Sequence, residues 1–196
     1  MIQAVLFDLD GTLTDTFELW YKSVREILVK HTGNELTREE YRKKYWGMDS
    51  RSKIRMLITR DESKVAEIYA ELQDILVRNV SLVRVFPGVT EVLQKFSEKY
   101  KLAVITNSSL KFLEAQLSET GIGKYFSVKV ADAMPKPNPE GLLRACRDLN
   151  VSQYECVFLG DSRFDIDAGK NAGIKTLIVG REIGKIGDVS NLGILR

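Results

Sequence analysis

The sequence predicts an α/β fold: a mainly parallel sheet covered by helices, with an all-helical unit inserted behind the first strand. Three observations predict it. Short apolar runs recur, and each ends abruptly in polar residues. Helical periodicity fills the intervals between these runs from residue 88 onward, the alternation that a parallel sheet requires. From Phe17 to about Leu82 the periodicity is helical throughout, with no strand pattern.

The first run, Ala4-Val5-Leu6-Phe7, opens into Asp8-Leu9-Asp10-Gly11-Thr12. Uninterrupted apolar character over four residues suits a strand buried on both faces. In the insertion, Phe17, Trp20, Tyr21, Val24, Ile27 and Leu28 form one apolar stripe, and Val65, Ile68, Tyr69, Leu72 and Leu76 form another. Two long helices packed antiparallel are expected. Gly33-Asn34 ends the first, and Phe86-Pro87-Gly88 marks the return to the main unit. After it come a helix on Val89, Val92, Leu93 and Phe96, a strand over residues 102–105, and a helix on Leu110, Leu113 and Leu117. Ser127-Val128-Lys129-Val130 is a weaker strand candidate. A helix on Leu142, Leu143 and Cys146 precedes strands at 156–159 and 176–179, and Asn191–Arg196 forms a short final strand or a loose tail. The predicted boundaries are 1–15 with 84–196 for the main unit and 16–83 for the insertion.

A chain of 196 residues with 44% hydrophobic side chains can bury a core unaided. Its formal net charge of +2 gives no electrostatic footprint for nucleic acid or an anionic membrane, so neither is an expected partner. No apolar stretch is long enough to cross a bilayer. Cys146 and Cys156 lack metal-ligand spacing and His31 is the single histidine, which fits a reduced, cytoplasmic protein with no thiol or imidazole metal site.

In open α/β sheets ligands gather beyond the carboxyl ends of the strands, and the polar run-ends of this sequence would converge there. Asp8 and Asp10, two apart, can divide labour: one carboxylate attacks phosphorus while the other protonates the leaving oxygen, given a cation to screen the phosphate. Gly11 would let backbone amides approach the phosphoryl oxygens. Asp161 and Asp165 follow the third clear run at a spacing that brings two carboxylates toward one hard cation, for which oxygen ligands favour Mg2+. Thr106 and Asn107 offer a hydroxyl and an amide to a phosphoryl oxygen. Lys136, within Met134-Pro135-Lys136-Pro137-Asn138-Pro139, is held by rigid neighbours as a positioned charge. Trp20, Trp46 and the two cysteines read as packing residues.

Together, Asp8-Leu9-Asp10-Gly11-Thr12-Leu13, Thr106-Asn107, Lys136-Pro137 and Gly160-Asp161-Ser162-Arg163-Phe164-Asp165 closely resemble the four signature motifs of the haloacid dehalogenase-like hydrolases. The resemblance implies a Rossmann-like three-layer core with a mobile helical cap, as in phosphoglycolate phosphatase-like and beta-phosphoglucomutase-like members. It implies Asp8 as nucleophile and metal ligand, and Asp10 as general acid then base with its main-chain carbonyl on the metal. Thr106, Lys136 and, more weakly, Asn107 would orient phosphate, and Asp161 and Asp165 would serve a Mg2+ ion. The cap loop Gly47–Lys53 is expected to face the substrate, with Arg51 or Lys53 on a distal anionic group. The expected activity is hydrolysis of a small phosphomonoester, of the phosphoglycolate or sugar-phosphate type, through an aspartyl-phosphate. The alternatives are a phosphosugar mutase and a non-catalytic phosphate-binding protein. Asp10 speaks against carbon–halogen cleavage, because the family's dehalogenases lack that carboxylate.

Overall fold

The computed structural model describes residues 1–179. Five parallel strands form its main sheet in the order β5-β4-β1-β6-β7: β1 (Ala4–Phe7), β4 (Lys101–Ile105), β5 (Val128–Val130), β6 (Cys156–Gly160) and β7 (Lys175–Ile178). Alternation along the strands separates two apolar layers. Val5, Phe7, Val104, Val157 and Leu159 pack beneath α5 (Val89–Ser97) and α6 (Leu110–Thr120). Ala4, Leu6, Ile105 and Phe158 face α7 (Glu140–Leu149) and α8 (Arg163–Ala172). β1 is the central strand and all four of its residues are fully buried, which is why its sequence shows no polar alternation.

The insertion contains α1 (Phe17–Thr32), α2 (Arg38–Lys44), α3 (Ser50–Leu57) and α4 (Glu62–Arg78). Helices α1 and α4 run antiparallel, since Glu26 pairs with Arg78 while Lys30 and His31 pair with Glu71 further back along α4. Their apolar stripes meet in a cluster of their own, joined from the sheet side by Phe112.

Two expectations need correction, and one element was not anticipated. A two-stranded antiparallel ribbon, β2 (Thr14–Asp15) with β3 (Arg84–Val85), carries the chain into and out of the insertion; two-residue strands are too short to show periodicity. The stretch Gly47–Lys53 is only half a loop, because the Asp49 side chain accepts from the Ser52 amide and starts α3 at Ser50. The last sheet strand spans Lys175–Ile178, one residue earlier than expected. The expected tail over Asn191–Arg196 lies outside the described residues.

Candidate active site

Because the strands are parallel, their carboxyl ends share one edge of the sheet. Asp8 follows β1, and its amide donates to the Leu159 carbonyl at 2.8 Å. Asp161 follows β6, and Thr106 follows β4 with its amide bound to the Val130 carbonyl at 3.0 Å. Ser162 caps α8 in a reciprocal pair: its hydroxyl accepts from the Asp165 amide, while the Asp165 carboxylate accepts from the Ser162 amide at 3.0 Å. The aspartate predicted for the metal therefore also shapes the helix that presents it.

Asp8, Asp161 and Asp165 each offer an oxygen within 4.8 Å of the others. Lys136 bridges two of them, its Nζ lying 2.5 Å from Asp8 Oδ1 and 2.6 Å from Asp165 Oδ1, with all three side chains nearly inaccessible. The second oxygen of Asp8 accepts from the Thr12 hydroxyl at 3.1 Å. Burial pushes the Asp8 carboxyl well above the usual range, and the charges of Asp165 and Asp161 add to this against the pull of Lys136. Asp161 is raised to about 6, chiefly by burial, while the indole N–H of Trp46 at 3.0 Å opposes the shift. Burial acts to lower the Lys136 ammonium, but Asp165 and Asp8 outweigh it and hold it above the ordinary lysine value. Crowded buried carboxylates with elevated proton affinity and an all-oxygen donor set fit a hard divalent cation such as Mg2+.

Asp10 has different surroundings. Its Oδ1 accepts from Thr16 (2.8 Å), Gln116 (3.1 Å) and Trp20 Nε1 (3.2 Å), and its Oδ2 from Ser108 (2.8 Å) and Thr106 (3.2 Å). The carboxylate that joins the cluster is thus Asp8, while that of Asp10 is held by Thr16 and Trp20 of the insertion and by Thr106, Ser108 and Gln116 of the main unit.

Among the other expected residues, Thr106 binds Asp10, and Asn107 holds the segment carrying Lys136: its Oδ1 accepts from the Lys136 amide at 2.8 Å and its Nδ2 donates to the Lys136 carbonyl at 3.3 Å. The amide of Gly11 donates to the Thr14 carbonyl at 2.8 Å. What glycine provides there is room. At φ +93°, a Cβ would sit 2.3 Å from Asp161 Oδ2 and 2.9 Å from Trp46. Arg51 is exposed and stacks over the Tyr69 ring at 4.2 Å, lining a neighbouring chamber with Asp49 and Asp132. Lys53 instead lines the cavity of Asp8, Asp10 and Lys136.

Sequence reasoning missed the roles of Trp20, Trp46, Ser108 and Gln116. Ser108 had a usable signal, since it directly follows the Thr106-Asn107 pair. The tryptophans had none, because an indole at a helical apolar position looks the same whether or not its N–H meets a carboxylate.

A parallel sheet carrying four carboxylates and a buried lysine at one edge defines a hydrolase of the haloacid dehalogenase class. Residues 5–179 match the haloacid dehalogenase-like hydrolase family model, and the chain belongs to that family. It is 33% identical over 192 residues to pyrophosphatase PpaX of Halalkalibacterium halodurans, covering 93% of this chain and 85% of that protein. With pyrophosphatase PpaX of Listeria monocytogenes serotype 4a it shares 31% identity over 185 residues, covering 91% and 82%. The structure of CbbY from Rhodobacter sphaeroides in complex with phosphate superposes with a TM-score of 0.80 at 27% identity, covering 91% of this chain and 86% of that one. The chain is an enzyme of this family's phosphatase type. Among the described residues, no helix is long and apolar enough to cross a membrane.

Proposed function

We propose that the chain is a magnesium-dependent phosphatase that moves the phosphoryl group of a small phosphomonoester onto Asp8 and then hydrolyses the aspartyl-phosphate. The observation carrying this reading is the state of Asp8: a buried carboxylate oriented by Lys136 and Thr12, sharing one cavity with Asp10. Asp8, Asp161 and Asp165, with the main-chain carbonyl of Asp10, would hold the Mg2+, which when bound screens the phosphoryl charge and favours the ionised nucleophile.

In the first half-reaction an Asp8 oxygen bonds to phosphorus, the bond to the leaving oxygen breaks, and Asp10 delivers a proton to that oxygen. In the second, Asp10 takes a proton from the water that attacks the phosphoryl group, and Asp8 is regenerated. Lys136 keeps the nucleophile in place and meets a phosphoryl oxygen, with Thr106 and Asn107 nearby. Residues 16–83 act as a cap over the site carried by 1–15 and the segment from 84 onward, excluding bulk water. Arg51, in the side chamber, meets the far end of longer substrates. Phosphoglycolate and sugar phosphates are the expected substrate types, and the pyrophosphatase relatives add pyrophosphate.

Phosphate release from a panel of these compounds, with Mg2+ or with chelator, tests the proposal. Release should require Mg2+ and vanish in Asp8→Asn; undiminished release by that variant would overturn it.

A further inference from the structure

Three carboxylates form the cluster, and one of them is held by the helical insertion. Asp8 is bound by Lys136 and Thr12, and Asp165 by Lys136 and Ser162, all of the main unit. Asp161 directly follows β6, and among the described residues its side chain accepts a single hydrogen bond, from the indole N–H of Trp46 at 3.0 Å. Trp46 lies two residues beyond the end of α2, within the insertion.

The insertion fixes this indole. Its ring lies 5.1 Å from that of Phe17 and 6.4 Å from that of Tyr41, and the Trp46 amide donates to the Tyr41 carbonyl at 3.0 Å. The chain then turns, with the Met48 amide donating to the Tyr45 carbonyl at 3.2 Å. This turn seats on two separate segments of the main unit. The Gly47 carbonyl accepts from Asn107 Nδ2 at 3.3 Å. At φ +77°, a Cβ on Gly47 would lie 3.1 Å from the Phe164 ring and 3.3 Å from Ser162 Cβ, so glycine allows the turn to rest directly on the start of α8, beside Asp161.

An indole N–H donates and cannot accept. It therefore favours the ionised carboxylate and sets its orientation without competing as a metal ligand. Groups that orient a ligand in this way govern metal affinity nearly as strongly as the ligands do.

We propose that Trp46 is a positioning residue: through its N–H the docked insertion holds Asp161 ready for Mg2+, so metal affinity depends on the seating of the Trp46-Gly47 turn. Linkage is reciprocal, and bound Mg2+ in turn favours the seated turn. The inference rests on the proposed assignment of Asp161 to Mg2+.

Calorimetric titration of Mg2+ into the full chain, without substrate, tests it in the wild type, Asp161→Asn, Trp46→Phe, Gly47→Ala and Val24→Ala. Phenylalanine keeps a ring and removes the N–H, and the Mg2+ Kd should weaken about tenfold or more. Gly47→Ala keeps the indole but forces the turn off Ser162 and Phe164. It should weaken the Kd in the same direction, and it decides the matter if Trp46→Phe fails to fold; an unchanged Kd in Gly47→Ala overturns the proposal. Val24→Ala trims the apolar cluster of the insertion within α1 and should leave the Kd unchanged. A Kd weakened as much by Val24→Ala as by Trp46→Phe would reduce the effect to general destabilisation and overturn the proposal. An unchanged Kd in Trp46→Phe beside a weakened one in Asp161→Asn overturns the proposal and leaves the metal assignment standing, whereas wild-type affinity in Asp161→Asn overturns both. In phosphate release, Trp46→Phe should need a correspondingly higher Mg2+ concentration and recover its maximal rate at saturation; a loss that no Mg2+ concentration restores counts against a role through the metal.

Discussion

Replacing Lys136 by methionine tests the electrostatic design of the site most directly. The ammonium lies 2.5 Å from one buried carboxylate and 2.6 Å from another. At an effective dielectric constant of about 20, each contact is worth roughly 6 kcal/mol of gross Coulomb attraction. Desolvation of the three groups and repulsion between the carboxylates offset much of that sum. Methionine fills the space and removes the charge, leaving Asp8 and Asp165 buried without a counterion, a situation that costs about 3–5 kcal/mol. For a chain of this length that corresponds to a fall in melting temperature of roughly 6–20 °C. The lysine proton is held more tightly in the folded state, so its contribution is fully present at pH 7.5 and disappears only far above neutrality. The penalty should shrink on acidification toward pH 5, because burial favours the protonated form of Asp8, which needs no partner. Calorimetry or urea unfolding in metal-free buffer at both pH values measures this. A loss below about 1 kcal/mol at pH 7.5, equal at pH 5, would refute the argument that the pair is a buried, mutually dependent charge cluster.

Three further outcomes are expected. Asp161 is held near 6, so the folded chain binds more protons than the unfolded one between about pH 4 and 6, and metal-free stability declines as pH rises through that window. Mg2+ would pair with the buried charge that Asp161 carries above that window, so its gain in melting temperature should be larger at pH 7.5 than at pH 5; an equal gain would exclude Asp161 from the site. Trp46→Phe keeps a ring against Phe17, 5.1 Å away, but removes the N–H that Asp161 accepts. Urea unfolding should show a loss of about 1–2 kcal/mol at pH 7.5, smaller below pH 6, and an unchanged midpoint at both would contradict the assignment. Gly11→Ala puts a methyl 2.3 Å from Asp161 Oδ2 at a backbone angle unfavourable to alanine. Stability should drop by about 2 kcal/mol or more and Mg2+-dependent phosphate release by at least about tenfold, whereas wild-type values would mean that Asp161 is free to move aside.

The strands were readable because all of β1 and β6 and nearly all of β4 is buried, which forces a continuous apolar run and leaves the functional residues as abrupt polar ends. The same logic exposed Asp8, Asp161 and Thr106 in sequence. Lys136 was readable through its prolines, although its two carboxylate partners, 128 and 29 residues away, were not. The ribbon of β2 and β3 stayed hidden because two residues carry no period. The start of α3 stayed hidden because Asp49 resembles any loop aspartate until its side chain is seen on the Ser52 amide. Lys53 differs from the exposed Arg51 by two positions on one helix turn, a difference of face that depends on how α3 lies against Trp20 and Tyr41.

That dependence on surroundings also separates the two aspartates of the first motif. A carboxylate has about four acceptor positions. Asp10 receives five donors, three on one oxygen and two on the other, which fixes its orientation. Asp8 receives two, Lys136 on one oxygen and Thr12 on the other, which orients the group while leaving acceptor positions open. Placement in the chain cannot distinguish residues two apart at one strand end; the number and origin of their donors can. Two of the donors on Asp10, Thr16 and Trp20, lie at the entry to the insertion, so any movement of the helical unit changes how firmly Asp10 is held. The donors on Asp8, Thr12 and Lys136, lie outside the insertion. Asp10 is thus tied to both the insertion and the main unit, and Asp8 to the main unit alone.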